Sequence, residues 1–205
     1  MEQAVTQFVQ QILATSAAEW IAVTLALAYV WLAARQNSWC WACAFASTAI
    51  YTWLFWQVTL PFQSALNFYY MIMAGYGYYQ WNRGGSDTAP VRSLSWWWHA
   101  LLIPGMLGLA WVLAGLAESQ FQSEHLYLDA SIHLLSVVTT FMVAHKILQN
   151  WLYWFVINLA SAYLFAQSGL MLSACLFLGY VGFSVYGYRE WWKQWKVQHA
   201  ASEYH

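Results

Sequence analysis

Hydrophobic positions run along this chain in long blocks, cut by turn residues and polar clusters. No charged residue occurs from Gln36 to Asn82 or from Ile147 to Tyr188. At about 1.5 Å of rise per residue, either run as a single helix would be about twice the roughly 30 Å hydrocarbon core of a bilayer, so each must fold back once. The runs lack the period-two alternation of barrel strands, and hydrocarbon offers no partner to a bare amide, so helices are the expected crossings. Turn residues divide the chain into seven predicted spans, at about 17–34, 38–57, 64–82, 96–116, 127–146, 149–167 and 170–189. The breaks have local causes: Pro61 between Gln57 and Ser64, two glycines and Asp87 between Gly84 and Pro90, and the turn Gln167, Ser168, Gly169.

Composition strengthens this reading. Only 7% of the 205 residues are charged while 61% are hydrophobic and 20% aromatic, a balance that can hardly build a water-soluble surface. The distribution of charge then sets an expected orientation. All basic residues fall in alternate junctions: Arg35 after span 1, Arg83 and Arg92 after span 3, Lys146 after span 5, and Arg189, Lys193 and Lys196 after span 7. The opposite junctions receive Glu2, Glu19, Glu118, Glu124 and Asp129. The positive-inside bias therefore predicts an outer N-terminus and a cytoplasmic C-terminus. No basic residue precedes Arg35, so the start lacks the basic region of a secretory signal, and residues 1–16 are read as mature chain, a candidate interfacial helix.

An internal repeat is visible. Gln36, Asn37 and Trp41 recur 113 residues later as Gln149, Asn150 and Trp154, and Tyr70, Gly77, Tyr78 and Trp81 recur 110 residues later as Tyr180, Gly187, Tyr188 and Trp191. The copies start four spans apart, so they cross the membrane in the same sense. The expected fold is an all-α integral membrane protein of two parallel three-helix repeats, 17–82 and 127–192, joined by a loop and linker helix at 83–117 and followed by a tail at 193–205.

Three stretches, Ala33 to Trp41 (AARQNSWCW), Leu60 to Trp81 (LPFQSALNFYYMIMAGYGYYQW) and Gln149 to Asn158 (QNWLYWFVIN), with Gly187, Tyr188, Arg189 and Trp191, resemble the PnuC family of bacterial nicotinamide riboside transporters. The resemblance covers nearly the whole chain from Glu19 onward. It implies a three-plus-one-plus-three arrangement similar to full-length SWEET facilitators, and facilitated diffusion of nicotinamide riboside with a separate cytoplasmic kinase trapping the product. A related carrier for thiamine or another vitamin precursor is the close alternative.

Such a substrate offers a flat cationic ring, a carboxamide and ribose hydroxyls, which call for aromatic faces and neutral amides rather than a buried carboxylate. Gln63, Asn67 and Tyr70 form one stripe on span 3, and Trp151, Trp154 and Asn158 another on span 6. These are the candidate binding residues, with helix-to-helix bonding as the competing role for Asn67 and Asn158. Trp53, Gln57 and Gln80 are candidate gates. Trp96, Trp97, Trp98, Trp191, Trp192 and Trp195 read as interfacial belts. Gly75, Gly77, Gly179 and Gly182 would permit close helix approach or flexing. Arg35, Gln36, Asn37, Lys146, Gln149 and Asn150 read as residues that shape turns.

Other classes fit less well. The chain has no phosphate-binding glycine loop, so ATP hydrolysis is not expected. Cys40 and Cys43 read as small packing residues within a span, and the odd number of cysteines argues against a disulfide framework. His133 and His145 are about 18 Å apart along span 5 and cannot share a metal. A retinal pigment would need a lysine within the last span, yet Lys193 and Lys196 lie past its end. A haem-binding bundle is a remote alternative. No metal, cofactor or enzymatic activity is expected; the expected partners are the small-molecule substrate, the lipid bilayer and other copies of the chain in a homo-oligomer.

Overall fold

The structure, a computed structural model, describes residues 16–57, 61–83, 90–119 and 125–202. The candidate interfacial helix at 1–15, the loop 84–89 with Asp87, and Glu124 lie outside the described residues. Among the described residues seven helices follow in order: α1 (Ala17–Ala34), α2 (Trp39–Gln57), α3 (Pro61–Asn82), α4 (Trp96–Ala117), α5 (Leu126–Ala144), α6 (Asn150–Gln167) and α7 (Met171–Ser202). Among the described residues there is no strand, only an isolated bridge between Arg92 and Ile147. Helix α7 is 32 residues long, so it runs on through most of the 193–205 tail.

Burial departs from that of a soluble protein, with polar side chains inside and large apolar ones outside. Ser47, Ser136, Thr139, Asn150, Asn158 and Ser184 are buried, whereas Leu101, Leu116, Trp111, Val156 and Trp56 lie on the outside. That is the distribution expected when the solvent is hydrocarbon and small or polar side chains tie helices together. Interior hydroxyls make such ties: Ser47 donates to the Ala22 carbonyl (2.8 Å), and Ser64 to that of Thr52 (2.8 Å). Helices α1, α4, α5 and α7 are long and apolar enough to cross a membrane by length and composition. Helices α2, α3 and α6, at 19, 22 and 18 residues, are long enough but carry more Tyr, Trp, Ser, Asn and Gln.

Contacts divide the helices into two units. Helices α1, α2 and α3 pack in sequence, as do α5, α6 and α7; α4 packs on α5, and the units meet through α3 with α5 and α1 with α7. Helix α4 thus joins the second unit. The junctions that carry Arg35, Arg92 and Lys146 lie together at one end of the bundle: the Arg92 amide donates to the Lys146 carbonyl (2.9 Å), and the Lys146 ammonium to the Gln36 side chain (3.4 Å). This end is called the basic end.

The repeat holds, but its register differs from the reading at 113. Helices α1 and α5 end in the same way, with Gln36 (φ 55°) and Lys146 (φ 51°) in the left-handed region. At each end the amide of that residue returns to the carbonyl three residues back, Ala33 or Val143, and the next amide returns to Leu32 or Met142. This is a Schellman stop, normally made by glycine. Trp41 lies against Gly77 and Trp151 against Gly187. Gln36, Trp41, Gly77 and Trp81 therefore match Lys146, Trp151, Gly187 and Trp191 at a constant 110. Gln149 and Asn150 share letters with Gln36 and Asn37 but stand one helical turn later in their own repeat.

Candidate functional site

The boundary between the units is where a ligand can meet both. On the α3 side, Tyr69 donates toward the Val137 carbonyl (3.4 Å), and Tyr70, beside it at 5.6 Å between ring centroids, reaches Ser136 of α5. Tyr29 of α1 packs instead against Trp41, at 6.0 Å between ring centroids. On α5 the buried Ser136, Thr139 and Thr140 donate to their own helix, to the carbonyls of Ile132, Leu135 and Ser136 (2.6 to 2.8 Å). Their oxygens keep acceptor capacity. In the second unit Asn158 of α6 donates to Ser184 of α7 (3.3 Å), which donates to the Tyr180 carbonyl (2.9 Å). Tyr70 and Tyr180 are equivalent in the two repeats. The result is a set of phenols, hydroxyls and one buried amide, in which none of the residues named carries a charge.

The candidate residues separate on this frame. Asn67 donates to the Gln63 carbonyl within α3 (2.9 Å), and both are half-buried, as is Tyr70. Asn158 is buried on Ser184, and Trp154 is half-buried against the core. Trp151 stands apart: it is buried against Gly187 and lies edge-on to Trp191 (5.6 Å, 86°), which makes it a packing residue of the basic-end core. Trp53 and Gln57 are exposed, with Trp53 at 56%. Gln80 approaches His145 (3.4 Å), which also pairs with the Tyr76 hydroxyl (3.1 Å), so Gln80 lies at the contact of α3 with α5.

Several sequence expectations are corrected. Trp191 is fully buried rather than interfacial, because its indole fills the junction between units, while Trp96, Trp97 and Trp98 are exposed as a belt requires. Gly77 and Gly187 are the close-approach glycines; Gly75, Gly179 and Gly182 have nothing near the position of a Cβ. Spacing alone does not say which glycine of a helix faces an indole.

The basic end closes the boundary with polar groups, among them Trp191 and Lys146, which the sequence reading assigned to a belt and a turn. The Trp81 indole donates to the Val143 carbonyl (3.2 Å), and the Trp191 indole to the Ala33 carbonyl (3.0 Å). Lys146 lies 4.7 Å over the Trp81 ring, and its burial, in the turn beyond α5, lowers its pKa to about 8. A cavity of about 320 Å³ also exists, but His99, Ile103, Leu135, Gln149, Leu152, Tyr153, Val156 and Ile157 line it, with no residue of the first unit. It is therefore a crevice of the second unit and α4, away from the boundary. Among the described residues no cluster of His, Cys, Asp or Glu is suited to a metal.

Comparison with known proteins places this geometry. A family model described as nicotinamide mononucleotide transporter matches residues 16–193. The riboflavin/roseoflavin transporter RibM of Streptomyces davaonensis is 26% identical over 83% of this chain and 79% of its own length. The nicotinamide riboside transporter PnuC of Escherichia coli is 22% identical over 67% of this chain and 69% of its own. A crystal structure of the vitamin B3 transporter PnuC shares the fold at a TM-score of 0.68 and 18% identity, covering 94% of this chain and 88% of that one.

Proposed function

This chain belongs to the nicotinamide mononucleotide transporter family, and from that premise we propose that it carries nicotinamide riboside across a bacterial inner membrane by facilitated diffusion. The observation that supports the reading is a neutral aromatic and polar set: Tyr70 and Ser136 where α3 meets α5, and the buried Asn158 and Ser184 between α6 and α7, offer a ring face, hydroxyls and an amide suited to a flat cationic nucleoside. Aromatic rings attract a desolvated cation by about 2 kcal/mol or more, and neutral partners avoid the penalty of burying a carboxylate. Asn67, Tyr70, Gln63, Trp154 and Asn158 are the proposed contacts, with Gln80 in an inner gate and Trp53 and Gln57 at the outer mouth. Alternating access arises as the first unit rocks against the second unit and its attached α4. The basic end faces the cytoplasm, where a separate kinase phosphorylates and traps the product.

A second reading is supported by the RibM match, which has the higher identity and coverage: a riboflavin-type substrate, also a flat ring with a hydroxylated chain. Uptake of labelled nicotinamide riboside into proteoliposomes is expected without ATP or an ion gradient, and dependence on either would overturn the mechanism. In a competition panel of nicotinamide riboside, riboflavin and thiamine, nicotinamide riboside is expected to bind tightest. A preference for riboflavin would move the chain to the second reading.

A further inference from the structure

Four indoles cross the unit boundary at the basic end in a two-fold arrangement. Trp41 meets Trp81 edge-on (5.4 Å, 85°), Trp81 meets Trp191 (6.0 Å, 57°), and Trp191 meets Trp151 edge-on (5.6 Å, 86°). Each central indole donates to the other unit, Trp81 to the end of α5 and Trp191 to the end of α1, at carbonyls that are themselves 110 residues apart. A second equivalent pair stacks nearby: Tyr76 on Phe141 (9°) and Tyr186 on Trp31 (8°). On the axis itself Gln36 and Lys146, equivalent in the repeats, bond to each other. Both hold a left-handed backbone that L-residues adopt at an energetic cost, and both are buried.

We infer that this reciprocal junction, Trp81 to Val143 and Trp191 to Ala33 with the Gln36–Lys146 pair on the axis, is the cytoplasmic gate, and that both halves open together. The inference rests on the alternating-access reading above. Three features support it. The bonds run between units, so rocking must break them. Equivalent bonds related by one axis are stretched equally by one rotation, so neither half can open alone. The closed junction also leaves the Gln36 Nε2, Trp41 Nε1 and Trp151 Nε1 atoms buried without a hydrogen-bond partner. Such groups favour any state in which water reaches them, which keeps closure from being too stable to reverse.

The fold supplies its own reporter. Cys40 is fully buried at the basic end and within electrostatic range of Lys146, whereas Cys43 and Cys175 are more accessible. In full-length protein carrying Cys43→Ser and Cys175→Ser, in oriented vesicles, a membrane-impermeant thiol reagent is applied to one face at a time. The Trp81→Phe/Trp191→Phe pair keeps an aromatic ring at each position and removes both donors. It is expected to raise Cys40 labelling from the cytoplasmic face about tenfold or more, as loss of two neutral hydrogen bonds implies, with no rise from the opposite face. Unchanged labelling in a monodisperse double variant, or an equal rise from both faces, overturns the gate. Because labelling needs no substrate, its outcome is independent of which vitamin is carried. If the double variant does not fold, a cysteine-free background with Gln36→Cys and Lys146→Cys, bridged by a short cleavable cross-linker, decides. Completed bridging is expected to abolish uptake and its cleavage to restore it; full uptake by the bridged protein overturns the inference.

Discussion

Gly77 and Gly187 each lie where a Cβ would collide with an indole, Trp41 in one repeat and Trp151 in the other. Alanine at either position is expected to cost about 1–3 kcal/mol through overpacking, read as a lower thermal midpoint in detergent. Alanine at Gly75 or Gly179, which face open space, is expected to stay within about 0.5 kcal/mol. Equal losses at all four would remove the packing account. Asn158→Ala and Asn67→Ala test the site instead. Each is expected to weaken substrate binding about three- to tenfold, the worth of a hydrogen bond, with little change in midpoint for Asn67, which bonds only its own helix among the contacts described. Wild-type affinity in both would dismiss the site assignment. The residue types were legible in the sequence, since aromatic and amide stripes are visible at helical spacing. Their partners were not: nothing local distinguishes Trp151, locked against Gly187, from Trp154 one turn on.

At the scale of elements, the segment before α4 is a strap rather than a free loop. Gln149, at the start of α6, accepts from the Leu94 amide (3.1 Å) and donates to Ser93 (2.7 Å) and to the Leu94 carbonyl (3.1 Å). The Val91 amide donates to Gln198 on the extension of α7 (3.0 Å), and the Leu148 amide to the Arg92 carbonyl (2.8 Å). The linker is thereby fastened to the second unit, which is why rocking is assigned to the first unit against the rest. Gln149→Ala is expected to speed hydrogen exchange at the Leu94 amide about tenfold while leaving α1 to α3 unchanged. Unchanged exchange at Leu94 would show that the strap is held by other contacts. The spans themselves were legible, because uninterrupted apolar runs and turn residues fix helix ends to within a few residues. The strap was not, because its bonds join residues more than 50 positions apart through side chains with no periodic signature.

For the whole molecule, the sequence pattern of basic junctions and the observed contacts agree that Arg35, Arg92 and Lys146 share one end. The proposed cytoplasmic placement of that end is tested by a reporter fused after His205, expected to be active only in the cytoplasm. Activity on the outer side would invert the proposed direction of both gates.

Alternation of charge, the length of apolar runs and the repeated Gly and Trp near the ends of α3 and α7 were enough to set helix number, like-oriented repeats and membrane residence. These are properties of single helices and of their order, and hydrocarbon solvation reads them directly from composition. The register of the repeat, the burial of Trp191 and the meeting of Gln36 with Lys146 were decided only by tertiary structure. Two residues 110 positions apart become neighbours because a two-fold relation between units places equivalent positions on its axis. No local propensity encodes where that axis passes.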